Sequence, residues 1–295
     1  MNNLCKPSNK TGWLVYFCAM SNVSPIGVFD SGYGGLTVLK AIVEKLPAYD
    51  YIYFGDNARA PYGNRSFDTV YEYTLQSVKW LFKKGCPLII LACNTASAKA
   101  LRTIQQNDLP KLDDSKRVLG VIRPSAEIIG DYTKTNQVGI LGTTGTVESM
   151  SYPLEIEKFF PEIKVYQHAC PLWVPLVENN EYASPGADYF IKKDIDELLI
   201  QSAEIDTILL ACTHYPLLVD KIKKYIPPNV QLISQGEIVA ASMENYLLRH
   251  PEIEERCSKN GQIQFYTTDS VKDFDKHSAV FFGRPVNSNH VELVS

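Results

Sequence analysis

The chain has 295 residues, of which 45% are hydrophobic and 21% charged, with a net charge of -4. This is an ordinary globular composition, with enough apolar mass for one or two cored domains. Lys and Arg are scattered and form no stripe, and no run reaches the roughly 18 apolar residues a membrane helix needs, so neither nucleic acid nor a membrane is expected as a partner.

Residues 1–24 precede the first predicted strand. Lys6 and Lys10 stand before the apolar stretch WLVYFCAM, a loose imitation of a signal peptide. The stretch is short, so translation from Met20 is the favoured expectation, with 1–24 an N-terminal extension outside the fold. From Pro25 onward short β-branched runs alternate with longer amphipathic segments, the pattern of parallel strands joined by crossover helices. Strands are predicted at IGVF (26–29), YIYF (51–54), LIILA (88–92), VLGVI (118–122), VGIL (138–141), KVYQ (164–167), TILLA (207–211), VQLI (230–233), IQFY (263–266) and AVFF (279–282). Runs this short and continuously apolar fit strands covered on both faces. The fold class is α/β.

Three turns recur in order along the chain. The turn at Asp30 has its counterpart at Gly142, 112 residues on; YFGD and YQHA are 113 apart; LACNTAS and LACTHYP place Cys93 and Cys212 119 apart. A near-constant offset predicts two similar halves, each supplying equivalent loops to one site. The polar PKLDDSK (110–116) is read as the crossing between them, and the chain as returning after VQLIS. The first domain is therefore set at 25–116 and 234–295, the second at 117–233.

In open parallel sheets ligands bind beyond the carboxyl ends of the strands, so the residues after each run matter most. DSGYGG supplies Asp30 and Ser31, with glycines that let a ligand approach the backbone; taken alone, Asp30 also reads as a simple helix cap. The glycine spacing is not that of a dinucleotide fingerprint. The loop DNARAPYGNRS carries Tyr62 and Gly63. At each cysteine turn a thiol at the start of a helix is expected to have its pKa lowered, and Asn94, Thr95 and Thr213 add donors suited to a carboxylate. Two thiols in equivalent turns favour a reactive role over core filling. Cys5, Cys18, Cys86 and Cys257 are read as structural, and Cys170 lies between the two cases. Seven cysteines without a C-x-x-C pair or a disulfide framework point to reduced thiols in the cytoplasm. His214 has no second His or Cys at a ligand-forming spacing, so no metal is expected there and a general acid or hydrogen-bonding role is preferred. Glu178 is expected to enter the same cleft from a helix of the second half. His168, His250, His277 and His290 show no constellation.

Together VFDSGYGGLTVL, RAPYGNRS, LACNTAS, ACPLWVPLVE and LLACTHYPLL resemble, in the same order and across most of residues 25–240, the glutamate racemases of the cofactor-independent aspartate/glutamate racemase superfamily. The resemblance implies two α/β domains related by pseudo-twofold symmetry, an active site in the cleft between them, and a catalytic cysteine from each. It implies racemisation of glutamate without pyridoxal or metal, supplying D-glutamate for peptidoglycan. Inverting an α-carbon needs a base on one face and an acid on the other, exchanging roles with direction. By the resemblance Cys93 serves D-glutamate and Cys212 L-glutamate, with Asp30 assisting the first and Glu178 and His214 the second. Substrate contacts carried over at matching positions are Asp30 with Ser31, Tyr62 with Gly63, Asn94 with Thr95, and Thr213 with His214. Glutamate is the expected partner, with a homodimer left open.

The chain departs from the family pattern at Arg123 and Ser125, where an acidic residue and a glycine are expected, and at Gln235 and Gly236, where an Asp and a Pro or Ser are common. Three rivals share parts of this pattern. An aspartate racemase shares the chemistry, but DSGYGG and PYG favour the glutamate branch. A decarboxylating lyase needs only one of the two thiols, and a non-catalytic dicarboxylate-binding protein needs neither.

Overall fold

The structure, a computed structural model, describes residues 23–293. The expected start at Met20 and the thiols of Cys5 and Cys18 lie outside the described residues. The fold itself begins slightly earlier than expected. Ser24 N–H donates to Arg256 O at 2.9 Å and Ser24 O accepts from Ser258 N–H at 3.0 Å, so Ser24 belongs to the domain and not to an extension.

Among the described residues ten strands form two sheets: β1 (Ile26–Asp30), β2 (Tyr51–Gly55), β3 (Leu88–Leu91), β4 (Arg117–Gly120), β5 (Gln137–Gly142), β6 (Lys164–Ala169), β7 (Thr207–Ala211), β8 (Gln231–Ile233), β9 (Ile263–Thr267) and β10 (Ser288–His290). The first sheet runs β10-β9-β2-β1-β3-β4 and the second β6-β5-β7-β8, and every ladder is parallel. The four-strand order β2-β1-β3-β4 is repeated as β6-β5-β7-β8. Gly27 pairs with Ile89 as Gly139 pairs with Ile208, so the two halves match in register as well as in order.

Side chains of the first sheet alternate strictly between two cores, as period-two pleating demands. Ile26, Val28, Tyr51, Tyr53, Leu88 and Ile90 enter one apolar cluster; Phe29, Ile52, Phe54, Ile89 and Leu91 enter another. The second core is closed by the helix Phe67–Lys83, whose buried Val70, Thr74, Ser77, Val78, Leu81 and Phe82 recur at helical spacing. Its start is fixed by Ser66, whose hydroxyl accepts the Thr69 N–H at 3.2 Å. In β7, Ile208 and Leu210 join the first cluster while Leu209 and Ala211 face a third. Fully burying each such aliphatic or aromatic side chain stabilises the fold by roughly 1.5–3 kcal/mol.

Two expectations are corrected. The crossing between halves does not lie at 110–116, because β4 pairs with β3 from Leu88↔Arg117 to Leu91↔Gly120 and so edges the first sheet. The chain crosses only after Gly120, where the helix Ile122–Ile128 joins the core of the second half. A polar stretch marks surface exposure, not a change of sheet. The AVFF segment is not a strand but the end of the helix Val271–Phe282, which buries Phe274, Ser278, Phe281 and Phe282 at helical intervals. The last strand is instead the polar Ser288–His290. Among the described residues no helix is long and apolar enough to cross a membrane.

Candidate active site

The strand ends of the two sheets open onto one cleft, enclosing about 570 Å³ of empty space with its mouth included. Ten of the eleven residues expected from the sequence line it: Ser31, Tyr62, Gly63, Cys93, Asn94, Thr95, Glu178, Cys212, Thr213 and His214. The eleventh, Asp30, ends β1 and is only 1% exposed. One of its carboxylate oxygens accepts the Gly32 N–H at 2.9 Å and the other the Thr213 hydroxyl at 3.5 Å, which ties the first half to the second beneath the cleft.

Cys93 comes directly after the apolar run of β3 and caps the short helix Asn94–Lys99. Its Sγ accepts the Ala96 N–H at 3.4 Å and lies 3.5 Å from the Ser31 hydroxyl. Cys212 occupies the equivalent place after β7, but the chain leaves it differently: Thr213 and His214 lead into a 3₁₀ turn, Tyr215–Leu218, and not into an α-helix. His214 Nδ1 is 3.9 Å from Cys212 Sγ, and Nε2 is 3.0 Å from Oε1 of Glu178, the last residue of the helix Trp173–Glu178. The result is a relay from a half-buried carboxylate to a buried imidazole and thiol. Gly34 of the first half passes close beneath it; a Cβ there would come within 2.5 Å of His214 Nδ1 and closer still to the Thr213 hydroxyl. Only glycine permits that approach.

Tyr62 donates its hydroxyl to the buried Asp56 carboxylate, which also accepts from Arg59 Nε at 2.7 Å and from the Thr268 hydroxyl at 2.9 Å. This anchors the Tyr62–Gly63 loop. Gly63 O accepts the Gly145 N–H at 2.8 Å, and the Thr95 hydroxyl meets that of Thr143 at 2.9 Å, so the halves also meet across the mouth. Thr143 lines the cleft and is not among the residues expected from the sequence. Carrying the 112-residue offset on from Ser31 leads to it, so the signal was present. Cys170 lines the cleft too.

The expectation that His168 stands apart from any constellation is corrected. His168, Cys170 and Asp194 place one donor atom each within 4.8 Å of one another, a set able to hold a metal ion, and His168 Nε2 already bonds Asp194 Oδ1 at 3.2 Å. Cys86 and Cys257 sit in apolar cores as expected. The thiols of Cys86, Cys93, Cys170, Cys212 and Cys257 are free.

The electrostatics overturn one expectation outright. Burial, reinforced by the Asp30 carboxylate, pushes the Cys93 thiol up to about 12, against the weaker opposing effects of the Ala96 N–H and the Ser31 hydroxyl. The helix start lowers it too little to offset the burial. Burial likewise raises Asp30 above the usual carboxylate range, with His214 pulling the other way. Burial alone would lower His214, but its hydrogen bonds to Cys212 and Glu178, together with their charges, raise it to about 10. The imidazole is therefore cationic at neutral pH, while on the other side of the cleft Cys93 keeps its proton.

A family model described as Asp/Glu/Hydantoin racemase matches residues 26–243. A glutamate racemase of Streptococcus gordonii is 40% identical, with 91% of this chain and 98% of that protein covered. One from Persephonella marina is 37% identical over 91% of this chain and 97% of its own length. Among solved structures, a glutamate racemase isoform of Bacillus anthracis aligns with a TM-score of 0.83 at 34% identity, covering 92% of this chain and 98% of that one. The Francisella tularensis glutamate racemase in complex with D-glutamate aligns at 0.82 and 31%, with the same coverage.

Proposed function

The chain belongs to the Asp/Glu/Hydantoin racemase family and is an isomerase that racemises glutamate, and from that premise we propose that Cys93 and Cys212 are its two acid–base groups, acting on opposite faces of the α-carbon. The observation that carries this reading is positional. The two thiols come after equivalent strands, β3 and β7, of two sheets with the same strand order, and both line one cleft.

The protonated Cys93 thiol is the acid for one direction of the reaction. Cys93 holds its proton at neutral pH, and cationic His214, backed by Glu178, stands with Nδ1 3.9 Å from Cys212 Sγ. In the L-to-D direction Cys212 removes the α-proton of L-glutamate and Cys93 delivers its own to the other face, giving D-glutamate. The C–H bond breaks on one side as another forms on the opposite side, and one proton has moved from Cys93 to the substrate while Cys212 has gained one. Reset comes by proton exchange with solvent or by turnover of D-glutamate. Asp30, sharing the buried floor with Thr213, is assigned to the Cys93 side, where the substrate ammonium offsets its charge. The substrate carboxylates are assigned to the donors at Ser31, Tyr62–Gly63, Asn94–Thr95 and Thr213–His214.

No metal or pyridoxal enters this scheme. We further place the enzyme in the cytoplasm, in keeping with its free thiols, and its D-glutamate in peptidoglycan supply, a reading supported by the glutamate racemases it resembles. The test is to replace each thiol by Ser and follow solvent-deuterium exchange, or elimination from a β-leaving-group analogue, for each enantiomer separately. Cys212→Ser should retain chemistry on D-configured substrates and Cys93→Ser on L-configured ones. The same preference in both variants refutes the facing-thiol assignment. Restoration of growth without added D-glutamate in a D-glutamate-requiring bacterium tests the supply role.

A further inference from the structure

Asn94, next to Cys93, has both polar atoms of its side chain bonded to other buried side chains. Its Nδ2 donates to Gln235 Oε1 at 2.7 Å, and its Oδ1 accepts from the Tyr152 hydroxyl at 2.6 Å. Gln235 Nε2 in turn donates to that same Tyr152 oxygen at 2.7 Å. The three residues thus close a ring in which each donates to one neighbour and accepts from the other.

The direction of the ring is fixed from outside it. Gln235 Nε2 also lies 3.1 Å from the Val121 carbonyl and 2.9 Å from the Ser125 hydroxyl, which itself donates to Val121 O at 3.3 Å, so the two amide hydrogens are shared among three acceptors, and a carbonyl can only accept. The amide nitrogen must therefore point to Val121, the amide oxygen must take the Asn94 donor, and Tyr152 must donate to Asn94. Asn94, Tyr152, Gln235 and Ser125 are each no more than 4% exposed. A closed cycle in such surroundings strengthens each of its bonds, and losing one member strands the other two.

The ring also joins parts of the chain that share no strand. Asn94 stands at the start of the helix after β3, Tyr152 lies on the helix Ser151–Ile156 of the second half, and Gln235 precedes the helix Gly236–Arg249. The hydrogen bonds that hold the Cys212 turn are different ones, to His214 and from it to Glu178, although Tyr152 lies near enough to feel the Cys212 charge.

We infer that Tyr152 and Gln235 are positioning residues for one of the two proton transfers only, clamping the Cys93 turn through the Asn94 side chain and leaving the Asn94 backbone amide to meet substrate. This rests on the two-thiol reading above and adds to it an asymmetry: the two faces of the reaction are held by different machinery. Racemisation rates in the two directions are tied by an equilibrium constant of one and cannot reveal it, so half-reactions are needed.

Tyr152→Phe removes the shared hydroxyl at nearly constant volume, and Gln235→Leu removes the amide. Each is combined with Cys212→Ser and, separately, with Cys93→Ser, so that one thiol at a time carries the chemistry. Elimination from β-chloroglutamate of each configuration is then measured, with melting temperature as a check on folding. Tyr152→Phe should lower elimination from the D-analogue by about 10–100-fold in the Cys212→Ser parent, as small misplacements of a reacting group do. In the Cys93→Ser parent, elimination from the L-analogue should stay within about twofold, a split that general loosening of the fold would not give. Gln235→Leu should reproduce the same one-sided loss. Equal losses on both sides, or none, overturn the clamp while leaving the two-thiol reading intact. Parents that share one enantiomer preference overturn both.

Discussion

Alkylation of Cys93 offers a direct reading of its surroundings in the free protein. With the thiol raised to about 12, its thiolate fraction at pH 8 is about 10⁻⁴, against about 10⁻¹ for the ordinary value near 9. The thiolate of a weaker acid is intrinsically more nucleophilic, and a Brønsted slope of about 0.4–0.5 returns some 1.2–1.5 of those three decades. The net expectation is reaction with iodoacetamide about 30–60-fold slower than an unshifted thiol at pH 8, before any loss from burial. More diagnostic is the pH profile. The logarithm of the rate should climb by about one per pH unit from pH 7 past pH 10 without levelling. Peptide mass analysis separates Cys93 from the other thiols, so the profile belongs to one residue. A plateau below pH 10 at Cys93 would refute the argument that burial and Asp30 hold the proton on it, and with it the protonated Cys93 thiol as the acid of the L-to-D direction.

Gly34→Ala should displace His214 and Thr213, and a shift of about 1 Å predicts a fall in kcat on the order of 100-fold by polarimetry; an unchanged kcat would show the close approach to be irrelevant. His214 is raised from 6.5 to about 10, so the stability it contributes is full below pH 6.5 and is lost as pH rises through 10. The melting-temperature gap between the wild type and His214→Asn should therefore be widest near pH 6 and close by about pH 10.5, and a gap that widens with pH contradicts the pairing. Asp56→Ala strands Arg59 and the Tyr62 hydroxyl and should cost about 3 kcal/mol in urea unfolding; a loss under about 0.5 kcal/mol would mean the loop is held otherwise. Chelator-treated, pyridoxal-free protein should keep its activity, and recovery only on adding metal or pyridoxal would remove the two-thiol scheme.

What the sequence disclosed was chiefly periodic. Short apolar runs ending in polar turns marked nine of the ten strands, and the recurring offsets marked the halves, because buried parallel strands leave a strong pattern. The polar β10 leaves none, since an edge strand pairs through its backbone. AVFF looked like a strand because four residues are too few to separate a strand from a helix; the wider window from Phe274 carries the helical spacing. Membership of a sheet is a long-range property, so β4 could not be assigned by local polarity. The cleft residues were legible because they sit directly after strands. The Asn94–Tyr152–Gln235 ring was not, since its members are far apart in sequence and meet only in the fold; Gln235 showed only as a departure from the family pattern. The thiol pKa was misread because a sequence shows the helix after Cys93 but not the burial around it.

The apolar cluster that takes Ile26 and Val28 from the first sheet also takes Ile208 and Leu210 from the second, and runs through the helix Pro185–Leu199 at Ile191 and Ile195. Neither half therefore has a boundary at which it could come apart alone without exposing the shared interior to water. Denaturation should proceed as one cooperative transition, and Trp80, in the outer layer of the first half, should report the same midpoint as Trp173, buried in the second. Cleft opening during turnover is correspondingly confined to small pivoting about an interior that stays packed, not to separation of two independent bodies.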